Sequence, residues 1–223
     1  ILNQSLSALN TIKLVAVDGS ISQAASQSIT SSRLLLQAAT GVGTSAQVLQ
    51  TQVQQMRALV TTSGGLFVAE QDGLVLDAKQ SSHVASPVDA WDLMGTEFAF
   101  KVAGNLALHV LNGTLSANGT IQALAVSGVA AQAGNVRLQT SKALVSPAAS
   151  SVLTVNAALT AEGHVSVLSD SDVVLTAMGD IALTTAGKTL DIEASTGALT
   201  MQLSGTDEAV IQTNAGNVRL SAA

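Results

Sequence analysis

The chain has 223 residues, enough for one elongated domain or two small globular ones. Apolar residues make up 47 % but aromatics only 2 %, so Ala, Val, Leu and Ile must fill a narrow interior. Charged residues are 11 %, the formal net charge is −6 and cysteine is absent. That disfavours nucleic acid and anionic membranes as partners and excludes disulfides, Cys-type zinc sites and thiol catalysis.

In chain order, the first segment open to a local reading is 44–59. Val48, Leu49, Val53, Met56 and Leu59 give partial helical spacing, and the alternative is a loop leading into a strand. Residues 80–95, with Pro87 and Trp91, read as a loop or insertion. Phe98 and Phe100 then alternate as one strand, and Leu106, Leu108 and Val110 as the next. The stretch 102–136 lacks Asp, Glu, Lys and Arg but is rich in Asn, Ser, Thr, Gln and Gly, which makes it a poor membrane span. No secretory signal pattern opens the chain, which begins at Ile1 and finishes inside a strand-like pattern. We expect it to be a fragment of something longer.

Repeats appear in the C-terminal third. Segments open on Gly or Ser-Asp and continue with alternating apolar residues, the first of which fall at 165, 173, 181, 190, 199, 210 and 218. Alternation with a period of two buries one face of each strand, and the Gly-x punctuation supplies turns. The pentad Gly134-Asn135-Val136-Arg137-Leu138 recurs as Gly216-Asn217-Val218-Arg219-Leu220, 82 positions on, which suggests one structural unit used more than once. Short strands at this spacing suit a sandwich, an antiparallel barrel or a solenoid. Even punctuation and a small aliphatic interior favour an all-β solenoid, with rungs about 4.8 Å apart.

The block 18–77 carries a family resemblance. Asp18-Gly19-Ser20-Ile21-Ser22-Gln23 is followed by Ile29 to Leu36, with three consecutive leucines, then by Gly41-Val42-Gly43. Leu49-Gln50-Thr51-Gln52-Val53, Ser63-Gly64-Gly65-Leu66-Phe67-Val68 and Gly73-Leu74-Val75-Leu76 complete the order. This succession resembles the filamentous-haemagglutinin-like giant surface adhesins of bacteria, including those exported by two-partner secretion. The resemblance implies a right-handed parallel β-helix, with 49–59 a strand edge and connector rather than a helix. It implies coils over 1–79 and 101–223, and it weakens across 80–130, with 80–100 the expected insertion. It also implies a secreted or cell-surface location and a stalk presenting adhesive regions. The expected partners are other coils of the same giant chain, head-to-tail copies, or host or neighbouring-cell surface glycans or proteins.

Candidate chemistry is sparse. His83, His109 and His164 have no metal-ligand partner at a recognisable spacing, and the last two are expected to point outward. Asp170 and Asp172 suit calcium or glycoside hydrolysis on type alone, but they flank a Ser at a turn, which explains them better. Asp180, Asp191 and Asp207 read as solvated, and Gly41-Val42-Gly43 as a tight turn rather than a nucleotide loop. No cofactor is expected. Asn3, Asn112 and Asn118 open Asn-x-Ser/Thr triplets, so Asn112 and Asn118 are possible glycosylation sites, although Asn-Gly is also a turn dipeptide. Trp91, Phe98 and Phe100 gather scarce aromatic surface and form a possible binding surface, the alternative being a local core plug. Three functions compete: a non-enzymatic structural stalk, favoured here, a polysaccharide-acting β-helix enzyme, and a receptor-binding module using 80–100.

Overall fold

The computed structural model describes residues 1–77, 98–142 and 150–223. Those residues form strands and turns and contain no helix. The first coil carries β1 (Leu6–Ser7) and β2 (Thr11–Ala16). The second and third each carry one long strand, β3 (Ile29–Ala38) and β4 (Leu49–Val60). From the fourth coil each turn of the chain is divided three ways. It has β5 (Leu66–Glu70), β6 (Leu74–Leu76) and β7 (Phe98–Ala103), and the fifth has β8 (Leu106–Val110), β9 (Leu115–Ala117) and β10 (Thr120–Leu124). The sixth has β11 (Val136–Thr140), β12 (Leu153–Val155) and β13 (Leu159–Ala161). The seventh has β14 (Val165–Ser169), β15 (Val173–Leu175) and β16 (Ile181–Leu183). The eighth has β17 (Leu190–Ala194) and β18 (Leu199–Met201), then a small antiparallel hairpin of β19 (Leu203–Ser204) and β20 (Asp207–Glu208), then β21 (Ile211–Thr213). The ninth ends in β22 (Val218–Ala222).

Apart from that hairpin, every strand pairing is parallel and joins a coil to the next. The fold is a parallel β-helix, the solenoid that the even punctuation and small aliphatic interior favour and the parallel form that the resemblance implies. One continuous column shows the stacking: Leu6, Ile29, Thr51, Glu70, Val110, Thr140, Ser169, Ala194 and Ala222 are register partners in succession, one from each of nine coils. On the first face Leu66, Leu106, Val136, Val165 and Leu190 stack, and on the second Leu74, Leu115, Leu153 and Val173. On the third, Ala58, Phe100, Ile121, Leu159 and Ile181 do so. The side chains named on these three faces are fully or almost fully buried. Each buried Leu, Ile or Val is worth about 1.5–3 kcal/mol relative to exposure, and the stack depends on neighbouring coils because no coil encloses its own core.

The helix-like spacing in 44–59 has a physical cause. Leu49, Thr51 and Val53 point inward, and so do Met56, Ala58 and Val60, so the inward parity slips by one residue where β4 turns a corner. β3 does the same, with Ile29 and Ser31 inward before Leu34, Leu36 and Ala38. A slip of one in a period of two imitates a period between three and four. Glycine settles another corner. Gly64 has φ +90°, and a Cβ there would lie 2.0 Å from the carbonyl oxygen of Thr40 on the coil below. Gly41-Val42-Gly43 belongs to the same corner, with Val42 buried and bridged to Ile21 and Leu66. It is a close approach of stacked turns, not a phosphate loop.

The register locates extra chain in the fourth coil. Met56 pairs with Leu76, 20 positions on, whereas Ala58 pairs with Phe100, 42 positions on. Trp91, His83 and Pro87 lie outside the described residues. The expected insertion of 80–100 nevertheless needs correcting at its end, because Phe98 and Phe100 belong to β7. Phe100 is wholly buried in the third-face column between Ala58 and Ile121, so it is not a contact surface. We expect Phe100→Ala to cost about 3–5 kcal/mol of stability in urea unfolding, the range for emptying a packed aromatic site. An exposed contact residue would show almost no change.

Candidate functional site

The acidic residues singled out in the sequence hold neighbouring coils together. Asp172 Oδ1 accepts the Ala198 N–H at 2.8 Å, and Asp180 Oδ1 accepts the Val210 N–H at 2.8 Å. Asp170 Oδ2 accepts the Lys142 N–H at 3.0 Å. Each carboxylate accepts a main-chain donor just outside a strand, Lys142 after β11, Ala198 before β18 and Val210 before β21, the work expected of Asp at turns. Asp191 is not simply solvated, because it pairs with Arg219. Among the described residues, no group of three or more His, Asp or Glu is placed to hold a metal ion.

The turn before the first face carries a ladder of its own. Asn105 Oδ1 accepts the Asn135 N–H at 3.1 Å, and Asn135 Oδ1 accepts the His164 N–H at 2.7 Å. His164 Nδ1 in turn accepts the Thr189 N–H at 3.1 Å, which places its ring proton on Nε2. His164 is exposed, as expected. His109 is half-buried, with Nε2 2.7 Å from Ser141 Oγ. Burial, and secondly the nearby Arg137, push its pKa below the ordinary 6.5 against an opposing pull from Asp170. The imidazole is therefore neutral at neutral pH.

Of the glycosylation candidates, Asn118 is exposed between β9 and β10, and its Oδ1 accepts from Ser116 Oγ at 2.8 Å and Asn156 Nδ2 at 2.6 Å. Asn112 is half-buried in the turn after β8, with its Oδ1 inside the fold. Asn3 is exposed. Phe98 is half-buried at the start of β7; the Lys101 ammonium lies 5.3 Å from its ring centroid, and its carbonyl accepts from Arg57 Nη2 at 3.0 Å. Arg57 and Leu35 are register partners with no exposed surface, although alternation puts both on the outward parity. Strand periodicity alone gave no sign of that.

The sequence reading also missed Glu70. It stands in the inward column between Thr51 and Val110 and has no exposed surface. Its Oε2 accepts from Thr51 Oγ1 at 2.7 Å, and its Oε1 accepts the Val53 N–H at 3.0 Å. β4 runs on through the corner here while its neighbour breaks between β5 and β6, so the Val53 donor loses a strand partner and the carboxylate replaces it. Two coils higher, Thr140 and Ser169 form a second polar step in that column, 3.0 Å apart, and both donate to the Ser151 carbonyl.

The outer surface of the first face holds a shallow cavity of about 380 Å³ lined by Val48, Ala69, Ala107, His109, Arg137 and Gln139, among others. Arg137 is exposed, and its Nη2 donates to Gln139 Oε1 at 2.7 Å. Comparison with protein-family models, with curated proteins and with solved structures finds no match to this chain.

Glu70 has a consequence for stability. Burial raises its pKa above the ordinary 4.5, and the hydrogen bonds from Thr51 and nearby amides offset that only partly. The folded chain then keeps a proton that the unfolded chain has lost, so stability falls as pH rises from 4.5 through the folded value. Glu70→Gln is expected to be more stable than the parent at neutral pH, with the difference shrinking as the pH is lowered through the folded value toward 4.5 and levelling off below it, as read from urea midpoints across a pH series.

Proposed function

We propose that this chain is a stiff, non-enzymatic segment of an extracellular bacterial surface stalk of the filamentous-haemagglutinin-like kind, presenting adhesive regions carried elsewhere. The observation that carries this reading is the nine-membered column from Leu6 to Ala222, which makes the coils one in-register stack. At about 4.8 Å per step it rises roughly 40 Å. Each step is fixed by main-chain hydrogen bonds, and the corners add side-chain ladders through Asn105, Asn135 and His164. Such a stack resists bending because a bend must open hydrogen bonds along one face.

The ordered blocks of 18–77 support the surface-adhesin part. The carboxylates that an enzyme reading would recruit, Asp170 and Asp172, are engaged in holding main-chain amides, which supports a structural role. Partners consistent with this reading are further coils, in the same chain or a second copy, and surface glycans or proteins of other cells.

Immunogold labelling of intact cells with an antibody to this segment tests the proposal, together with electron microscopy of the purified chain. We expect surface label that external protease removes, and short rods about 40 Å long. Label confined to the cell interior would overturn the location, and globular particles would overturn the stalk.

A further inference from the structure

The two identical pentads allow an internal comparison. Val136 and Val218 occupy the same position on the first face, linked through Val165 and Leu190. Arg137 and Arg219 are therefore equivalent side chains on the outer surface. Their neighbours on the preceding coil differ. Arg219 lies over Asp191, to which it donates from Nε at 2.7 Å and Nη2 at 2.8 Å, and its Nη2 reaches Glu193 at 2.7 Å. Arg137 lies over Ala107, and the residue equivalent to Glu193 is His109. Asp has become Ala, and Glu has become a half-buried, neutral imidazole.

The place filled by the Asp191 carboxylate in the second unit is, in the first, part of the shallow cavity over Ala69 and Ala107. We propose that this recess binds a small sugar acid, its carboxylate taking on Arg137 the position that Asp191 takes on Arg219. An Arg fork matches a carboxylate bidentately, and the second unit already shows that geometry. Ala69, Ala107 and Val48 supply a small apolar floor for the C–H face of a ring, and Gln139 and His109 stand at its side for hydroxyl groups. The recess lies in mid-sheet. The flanking strands β5, β8 and β11 already share their main-chain bonds with one another, so an extended peptide finds no strand edge to add to. A ring held through side chains suits the place better.

The test is titration of the whole chain with D-glucuronate, followed by calorimetry and by NMR of the His109 and Gln139 side chains. D-glucose, acetate and N-acetyl-aspartyl amide are titrated in parallel. Glucuronate should bind, acetate and the aspartyl compound at least about tenfold more weakly, and glucose not detectably. Ala107→Asp puts under Arg137 the carboxylate that the second unit has, and should weaken glucuronate binding about tenfold or more, as should Arg137→Gln. Arg219→Gln should leave binding unchanged. Circular dichroism checks the fold of each variant, and Arg137→Gln decides alone if Ala107→Asp does not fold. The proposal is overturned if glucuronate does not bind, or if glucose, acetate or the aspartyl compound binds as well. Undiminished binding in folded Arg137→Gln overturns it too.

Discussion

In-register stacking is the constraint on which the rest of this structure depends. When one coil lies on the next about 4.8 Å away, each inward side chain meets its counterpart rather than a complementary neighbour. A column favours residues that pack well against their own kind, and the enclosed space is too narrow for opposed aromatics. Leu, Val, Ile and Ala meet that condition, which is why a chain with 2 % aromatic content still has a continuous core. Phe100 enters its column only beside Ala58, where a small partner leaves room.

The same constraint explains the buried polar groups. In the column from Leu6 to Ala222 a change of chemistry at one coil bears on the coil above, and its polar residues enter as vertical pairs. Thr51 meets Glu70, and Thr140 meets Ser169. Both pairs sit at the corner after the first face, where strands end and main-chain donors lose their ladder partners. The side chains supply the missing acceptors, Glu70 to Val53 and Ser169 to Ser171. Buried polar atoms cost free energy unless bonded, and here they are bonded to donors that would otherwise carry that cost themselves.

Much of this was legible in the sequence. Period-two alternation, Gly punctuation and the repeated pentad specify strands, turns and an equivalent unit, and the structure has all three. What was not legible depends on vertical neighbours, which lie from 19 to 42 positions apart as coil length varies. The helix-like spacing around Val53 and Met56 is a corner slip, and only the matching slip in β3 reveals it. Phe100 stayed open between a contact surface and a core plug because its partners, Ala58 and Ile121, are distant in sequence. Glu70 drew no notice, since a lone glutamate after an apolar run reads as the end of a strand.

The pentads show the same constraint acting on the outer surface. Their five residues are identical and their place in the fold is equivalent, yet Arg219 is held by two carboxylates and Arg137 by a glutamine. The difference is made by β17 and β8, the strands beneath, which share no motif with the pentads themselves. In a parallel stack the outer surface is therefore written by pairs of coils rather than by single coils. Repetition along the sequence preserves the scaffold, while small changes such as Asp to Ala on an adjacent coil decide whether a charged surface side chain is paired with carboxylates of the stack. A parallel β-helix built this way can present different chemistry at each level without altering the backbone.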